Sequence, residues 1–198
     1  MLEYNYPHYG GVRLSREGLL SKENAVLIVV DVQERLFPLI SGKDIILNNM
    51  RKLIRFAKII GIPIILTEQY PKGLGPTIPE IRGLLPNIKS IEKVEFSCFG
   101  SEKFRDILKN MRAETLIIIG IETHICVAQT SIEGVKYGYR VCVVSDATSS
   151  RKIEDKNIAI ERMRQSGVIV TSTEMLMYEL LRKAETREFR EALELIKS

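Results

Sequence analysis

Short runs of uninterrupted aliphatic residues alternate along this chain with longer stretches in which apolar residues recur every three or four positions. The runs are Ala25-Val26-Leu27-Ile28-Val29-Val30, Ile62 to Thr67, Thr115 to Gly120 and Tyr139 to Val144. Such runs read as strands buried on both faces. Ile88 to Val94 and Val168 to Thr171 are shorter strand candidates. Between Asp44 and Ile60 the apolar positions Ile45, Leu47, Met50, Leu53, Ile54, Ala57 and Ile60 keep helical spacing, and Gly61 stops the helix. Ser101 reads as the N-cap of a helix through Leu108, and Thr123 as the cap of one running from Cys126 to about Tyr137. Ile153 to Gln165, Glu174 to Arg182 and Glu185 to Ile196 complete the helices.

Strands alternating with helices predict an α/β fold, a three-layer doubly wound sheet that is mainly parallel. No internal repeat, low-complexity tract or linker divides the chain. Residues 25–198 are therefore expected to form a single domain. Residues 1–24 are polar, with Tyr4, Tyr6, Pro7, His8 and Tyr9 near the start. They read as an arm packed over the domain or onto a neighbouring subunit, with a loose tail as the alternative.

Composition narrows the function classes. Among 198 residues the net charge is only +4, and basic residues are mixed with acidic ones. That gives no electrostatic case for nucleic acid or membrane as a partner. Three cysteines, Cys98, Cys126 and Cys142, are odd in number and form no Cys-x-x-Cys pair, which points to a reducing compartment. Two histidines, His8 and His124, cannot build a histidine-rich metal site. No stretch reaches the ~18–20 apolar residues of a membrane span, and the first residues lack the order of a signal peptide. The expectation is a soluble, cytoplasmic protein.

Candidate chemistry collects at strand ends. Asp31 follows the first strand, Lys93 closes a short one, and Cys126 follows the Leu116–Gly120 run. In a doubly wound sheet the carboxyl ends of the strands line one crevice. Each residue also has a plain account: a capping acid, a surface lysine, a small buried hydrophobe. Together they have a chemical logic. A thiolate is a nucleophile, and an ammonium and a helix N-terminus would stabilise it and lower its pKa. A carboxylate can take the thiol proton and return it to a leaving amine. The Gly- and Pro-rich connection from Glu68 to Pro79 is long enough to be functional, with Glu68, Gln69 and Tyr70 facing the crevice. After the first strand stands Gln33-Glu34-Arg35-Leu36-Phe37 rather than Gly-x-Gly-x-x-Gly, which counts against a nucleotide cofactor.

Val29-Val30-Asp31-Val32-Gln33, Glu92-Lys93-x-x-Phe96-Ser97 and Gly120-Ile121-Glu122-Thr123-His124-Ile125-Cys126-Val127 resemble the isochorismatase-like cysteine hydrolase superfamily. The resemblance runs in order from about Ala25 to Thr173. The Thr67–Thr77 segment is similar to a branch of uncharacterised isochorismatase-domain hydrolases. It implies a catalytic triad of Asp31, Lys93 and Cys126. It also implies a cis peptide between Ile121 and Glu122, with the amides of Glu122 and Cys126 as an oxyanion hole. Nicotinamidases of the superfamily bind a metal through an aspartate and histidines after the second strand. This chain has Glu68-Gln69-Tyr70 there, so neither a metal nor nicotinamide is expected.

Isochorismatases of siderophore and phenazine pathways do not depend on a cysteine, and Cys126 favours an acyl-enzyme route. His124 is expected to be a turn or subunit-contact residue. Gln33, Leu36, Gln69, Tyr70 and Phe96 are expected as pocket walls. The resulting expectation is a hydrolase of a small amide or related C–N compound, with no cofactor and no metal. It would be a homo-oligomer (dimer or tetramer) whose partner is a small-molecule substrate. The alternatives are a vinyl-ether hydrolase with Asp31 as acid, a non-catalytic interaction protein on the same fold, and a nucleotide-binding module, which lacks its glycine fingerprint.

Overall fold

The computed structural model describes residues 18–197. Strands β1 (Ala25–Val30), β2 (Ile64–Gln69), β3 (Ile91–Lys93), β4 (Thr115–Ile121), β5 (Arg140–Ser149) and β6 (Ile169–Thr171) form one sheet in the order β3-β2-β1-β4-β5-β6. Every pairing is parallel. The helices are α1 (Lys43–Ile60), α2 (Pro71–Leu74), α3 (Pro79–Arg82), α4 (Glu102–Asn110), α5 (Ala128–Lys136), α6 (Ile153–Gln165), α7 (Thr173–Leu181) and α8 (Arg187–Lys197). No helix among the described residues is long and apolar enough to cross a membrane. The described part of the N-terminal arm, residues 18–24, packs on the domain through the buried Leu20, with Arg140 donating to the carbonyl of Leu19. Its earlier residues lie outside the described ones.

Alternation within the strands makes the layers. Leu27 and Val29 of β1 and Ile117 and Ile119 of β4 face α1, α7 and α8. Val26, Ile28, Val30, Leu116 and Ile118 face α4, α5 and α6 on the other side. Successive strand side chains point to opposite faces, so a run that is apolar throughout needs helices on both. Each such side chain contributes about 1.5–3 kcal/mol on burial. The chain winds outward from β1 through β2 to β3, then returns to pair β4 on β1's other edge. Connections leave β1 and β4 in opposite directions, and this is where an open sheet keeps a crevice.

The elements differ from the sequence expectation at two strand ends that matter for the site. Strand β2 runs on to Gln69 because Glu68 and Gln69 pair in register with Glu92 and Lys93 of β3. Strand β5 continues past Val144 to Ser149 through a register shift against β4, its polar end satisfied by Thr123 and the Ser41 carbonyl.

The Tyr70–Ile78 connection is stitched to the segment leaving β1. Ile78 donates to the Val32 carbonyl at 3.0 Å, Glu34 to Pro76 at 3.0 Å and Arg35 to Leu74 at 3.1 Å. Glu68 anchors it from below: its Oε1 accepts from the Thr77 amide at 2.8 Å and hydroxyl at 2.6 Å, and its Oε2 from Ser90 at 2.8 Å. Burial pushes the Glu68 carboxyl up, but these bonds and the nearby Arg82 charge outweigh it and hold the group below its ordinary range. The connection is a fixed wall.

At Gly120 the backbone of β4 lies tight against that of β1. The Gly120 φ is +117°, and a Cβ there would stand 2.2 Å from the Val30 carbonyl oxygen. Gly120→Ala should therefore cost more than about 4 kcal/mol in urea unfolding. Gly138, with φ +91° but open space around it, should cost only about 1–2 kcal/mol when changed to alanine. Equal losses at the two positions would rule out the close-approach account. Glu68→Gln should lower stability by about 1–3 kcal/mol at neutral pH. A depressed folded-state pKa stabilises above the unfolded value of about 4.3 and stops doing so as pH falls through the folded one. The Tm gap between wild type and Glu68→Gln should thus narrow from about pH 7 to about pH 3, and a constant gap would contradict this.

Candidate active site

Asp31 leaves β1 with φ +50° and is fully buried; its amide donates to the Thr67 carbonyl at 3.2 Å. Lys93 closes β3, two strands away, and is 4% exposed. Its side chain reaches over β2, and Nζ donates to Asp31 Oδ2 at 2.7 Å. The ammonium also donates to Gln69 Oε1 at 2.7 Å and meets the carbonyls of Glu95 and Phe96 at 3.3 Å. Thr67 Oγ1 donates to the other oxygen of Asp31 at 2.7 Å. Burial disfavours the charged lysine, but Asp31 and the two nearby thiols, Cys98 and Cys126, outweigh it and leave the ammonium above its ordinary range. Cys126, 6% exposed, lies close enough to Asp31 for the carboxylate to act on its thiol. The three residues from three strand ends do meet.

The thiol departs from expectation. A helix N-terminus was expected to lower its pKa, yet the group is pushed well above its ordinary value. Burial is the largest cause, followed by the Asp31 charge; Lys93 pulls the other way and does not prevail. The local backbone explains part of this. Residues Thr123–Val127 form a π-helical turn, and the α-helix begins only at Ala128, so Cys126 lies ahead of it. Thr123 does not cap the helix, because its hydroxyl pairs with Thr148 at 2.8 Å. The resting site therefore holds a carboxylate, an ammonium and a protonated thiol. Cys98, also fully buried, is pushed up to about 11 by burial and by Asp31. Cys142 is core, as its place in a strand implied.

The turn that carries Cys126 starts at a cis Ile121–Glu122 peptide. The Glu122 carbonyl accepts from the amides of Ile125 at 3.1 Å and Val127 at 3.3 Å. The buried Glu122 carboxylate takes the Arg151 amide at 3.0 Å and its Nε at 3.1 Å, tying the turn to the segment after β5. His124 directs Nδ1 to Ser150 Oγ at 2.9 Å, on the same segment.

The expected pocket walls divide into two groups. Gln33 is a brace: its Oε1 accepts from the Gln69 amide, and its Nε2 donates to the carbonyls of Gln69 at 3.0 Å and Gly75 at 2.7 Å. Gln69 bridges Lys93 and the Val94 carbonyl. Both carboxamides are spent on the frame around Asp31, Lys93 and Cys126, because their buried amide groups need partners. Leu36 is half-buried against the core. Tyr70 and Phe96 are 53% and 54% exposed and flank Lys93 through their backbones. Sequence reasoning missed Thr67, which it treated only as a strand terminus. The period-two pattern held the clue, since Thr67 shares a strand face with Gln69.

Residues 25–175 match the family model described as the isochorismatase domain. Isochorismatase domain-containing protein 2 of Danio rerio is 38% identical over 182 residues, covering 90% of this chain and 90% of that protein. The structure of MAR1 ribonuclease from Caenorhabditis elegans superposes with a TM-score of 0.86 at 36% identity, covering 91% of this chain and 93% of that one. The YcaC gene product of Escherichia coli, an octameric hydrolase of unknown specificity, superposes with a TM-score of 0.81 at 28% identity, covering 90% and 87%. With a family match over most of its length and relatives similar nearly end to end, the chain belongs to the isochorismatase-like superfamily and has its hydrolase fold.

Proposed function

We propose that this protein is a cysteine hydrolase that cleaves a small amide or related C–N compound without metal or cofactor, using Cys126, Asp31 and Lys93 as its catalytic triad. The observation that supports it most is the Cys126 thiol placed beside a carboxylate that is itself ion-paired to a buried ammonium. Asp31 takes the Sγ proton as sulfur attacks the substrate carbonyl. The carbonyl π pair moves to oxygen, and the amides of Glu122 and Cys126 receive that oxyanion. As the tetrahedral species collapses, the C–N bond breaks and Asp31 returns the proton to the departing amine. A water then gives its proton to Asp31 and attacks the thioester; the C–S bond breaks, sulfur recovers its proton and the acid leaves. Lys93 stays beside both groups, and its positive charge favours whichever of them carries the negative charge during the proton transfer. Leu36, Tyr70 and Phe96 serve as pocket walls, with Gln33 and Gln69 holding the frame behind them.

A cytoplasmic homo-oligomer belongs to the same reading, and the octameric relative supports assembly of several copies. Two other activities fit less well. Vinyl-ether hydrolysis needs Asp31 to carry a proton to the substrate from the start, but both of its oxygens already accept hydrogen bonds, one from the Lys93 ammonium and one from the Thr67 hydroxyl. The relative described as a ribonuclease suggests RNA. Yet the Lys93 side chain is fully buried, with its ammonium already bonded, and offers nothing to a phosphate.

A panel of small amides read by ammonia release should show activity that Cys126→Ala abolishes and Asp31→Asn lowers by about 10²–10⁴-fold, with RNA left intact by the same protein. Activity that survives Cys126→Ala would move the vinyl-ether reading ahead. Iodoacetamide should label Cys126 in preference to the fully buried Cys98 and Cys142, and its rate should climb through alkaline pH, since the resting thiol is protonated. Asp31→Asn should label faster than wild type at neutral pH while hydrolysing more slowly, because it removes the charge that holds the proton on sulfur.

A further inference from the structure

We infer that Thr67 is a positioning residue: from β2 it aims the Asp31 carboxylate at the Cys126 thiol. The inference rests on the cysteine-hydrolase reading and deepens it.

The need for such a residue follows from the chemistry of the pair. An ammonium is a compact charge with rotatable donors, so it fixes distance better than orientation. Held only through Oδ2 by Lys93, the carboxylate would remain free to turn about its own Cβ–Cγ bond. Thr67 removes that freedom. Its hydroxyl binds Oδ1 at 2.7 Å while Lys93 binds Oδ2 at 2.7 Å, so donors from β2 and β3 set the plane of the carboxylate. The Thr67 carbonyl also accepts the Asp31 amide, so one residue holds both the backbone and the side chain of Asp31.

The direction of the hydroxyl proton is set from behind. Cys98 Sγ lies 4.0 Å from Thr67 Oγ1 and donates to it, which leaves the threonine proton for Asp31. The residue choice is otherwise unexplained. Thr67 is fully buried and continues the run Ile64-Ile65-Leu66, where a valine would suit the strand and carry no polar atom. The titratable groups coupled to Asp31 are Lys93 on β3, Cys98 in the segment after it, and Cys126 in the turn after β4.

The test is the pH profile of Cys126 alkylation by iodoacetamide, with peptide mapping of all three cysteines, in wild type, Thr67→Val, Thr67→Ser and Asp31→Asn. A carboxylate no longer aimed at sulfur holds the thiol proton less firmly. Thr67→Val should therefore move the Cys126 midpoint down by about half a pH unit, a roughly threefold faster labelling below it. Thr67→Ser should restore the wild-type profile, and labelling of Cys98 and Cys142 should stay slow throughout. A Thr67→Val midpoint that is unchanged or moves up would overturn the inference, as would faster labelling of all three cysteines together, which reports general loosening. If Asp31→Asn also leaves the Cys126 profile unmoved, the coupling of acid and thiol fails and the catalytic reading falls with it. If Asp31→Asn shifts the profile and Thr67→Val does not, only the role of Thr67 is lost.

Discussion

A carboxylate and an ammonium sit 2.7 Å apart with both side chains fully out of solvent, and the rest of the site follows from keeping them there. Removing two ions from water costs several kcal/mol each, which their attraction repays only with good geometry and with every remaining polar position bonded. Asp31 and Lys93 meet that condition through groups that no single element supplies. Thr67 and Gln69 come from β2, the carbonyls of Glu95 and Phe96 from the segment after β3, and the thiol from the turn after β4. The pair therefore exists only when β3, β2, β1 and β4 lie side by side in that order. Fold and site are one constraint here, which is why the sheet's polar residues gather at one end of its central strands.

The same need explains the stitched connections. A frame that tolerates no unpaired charge cannot have mobile neighbours. Gln33, Glu68 and Glu122 each spend a buried polar side chain on fixing a segment around the crevice: the Tyr70–Ile78 wall by the first two and the segment after β5 by the third. Gly120 lets β4 lie against β1 where a side chain would strike the Val30 backbone, and so brings the cysteine turn to the acid. Ser97 adds another tie, giving its hydroxyl to Glu133 of α5 at 2.5 Å and binding the segment after Lys93 to the helix after Cys126.

Much of this was legible in the sequence, and what was not has a physical pattern. The uninterrupted aliphatic runs of β1 and β4 fixed the core strands, because burial on both faces leaves no room for polar alternation. Asp31, Lys93 and Cys126 were legible because they interrupt or end such runs where an open sheet binds ligands. Strand ends were harder: Glu68 and Gln69 look like loop residues by polarity, yet they continue β2 because β3 and the frame satisfy them. The π turn was invisible, since Thr123 carries an ordinary N-cap signal that its contact with Thr148, distant in sequence, overrides. Gln33 and Gln69 have the chemistry of substrate ligands, and only three-dimensional partners reveal that their amides are already engaged.

The direction of the thiol's shift was the least legible feature, because it depends on a balance rather than on any one residue. A cysteine near a lysine and a helix suggests a thiolate, but Asp31 faces the same sulfur and burial penalises any new charge. A thiolate beside the carboxylate would place two anions against one ammonium in a site with little water. The protonated thiol instead leaves one anion and one cation, a neutral group overall. On the proposed mechanism that neutrality is useful. As sulfur attacks, its proton passes to Asp31 and the negative charge moves to the substrate oxygen, to which the turn amides donate, rather than residing on sulfur. A preorganised site gains most when charge develops in the transition state instead of standing in the ground state. The raised thiol is thus consistent with a nucleophile whose proton is released by Asp31 during attack, rather than one kept ionised at rest.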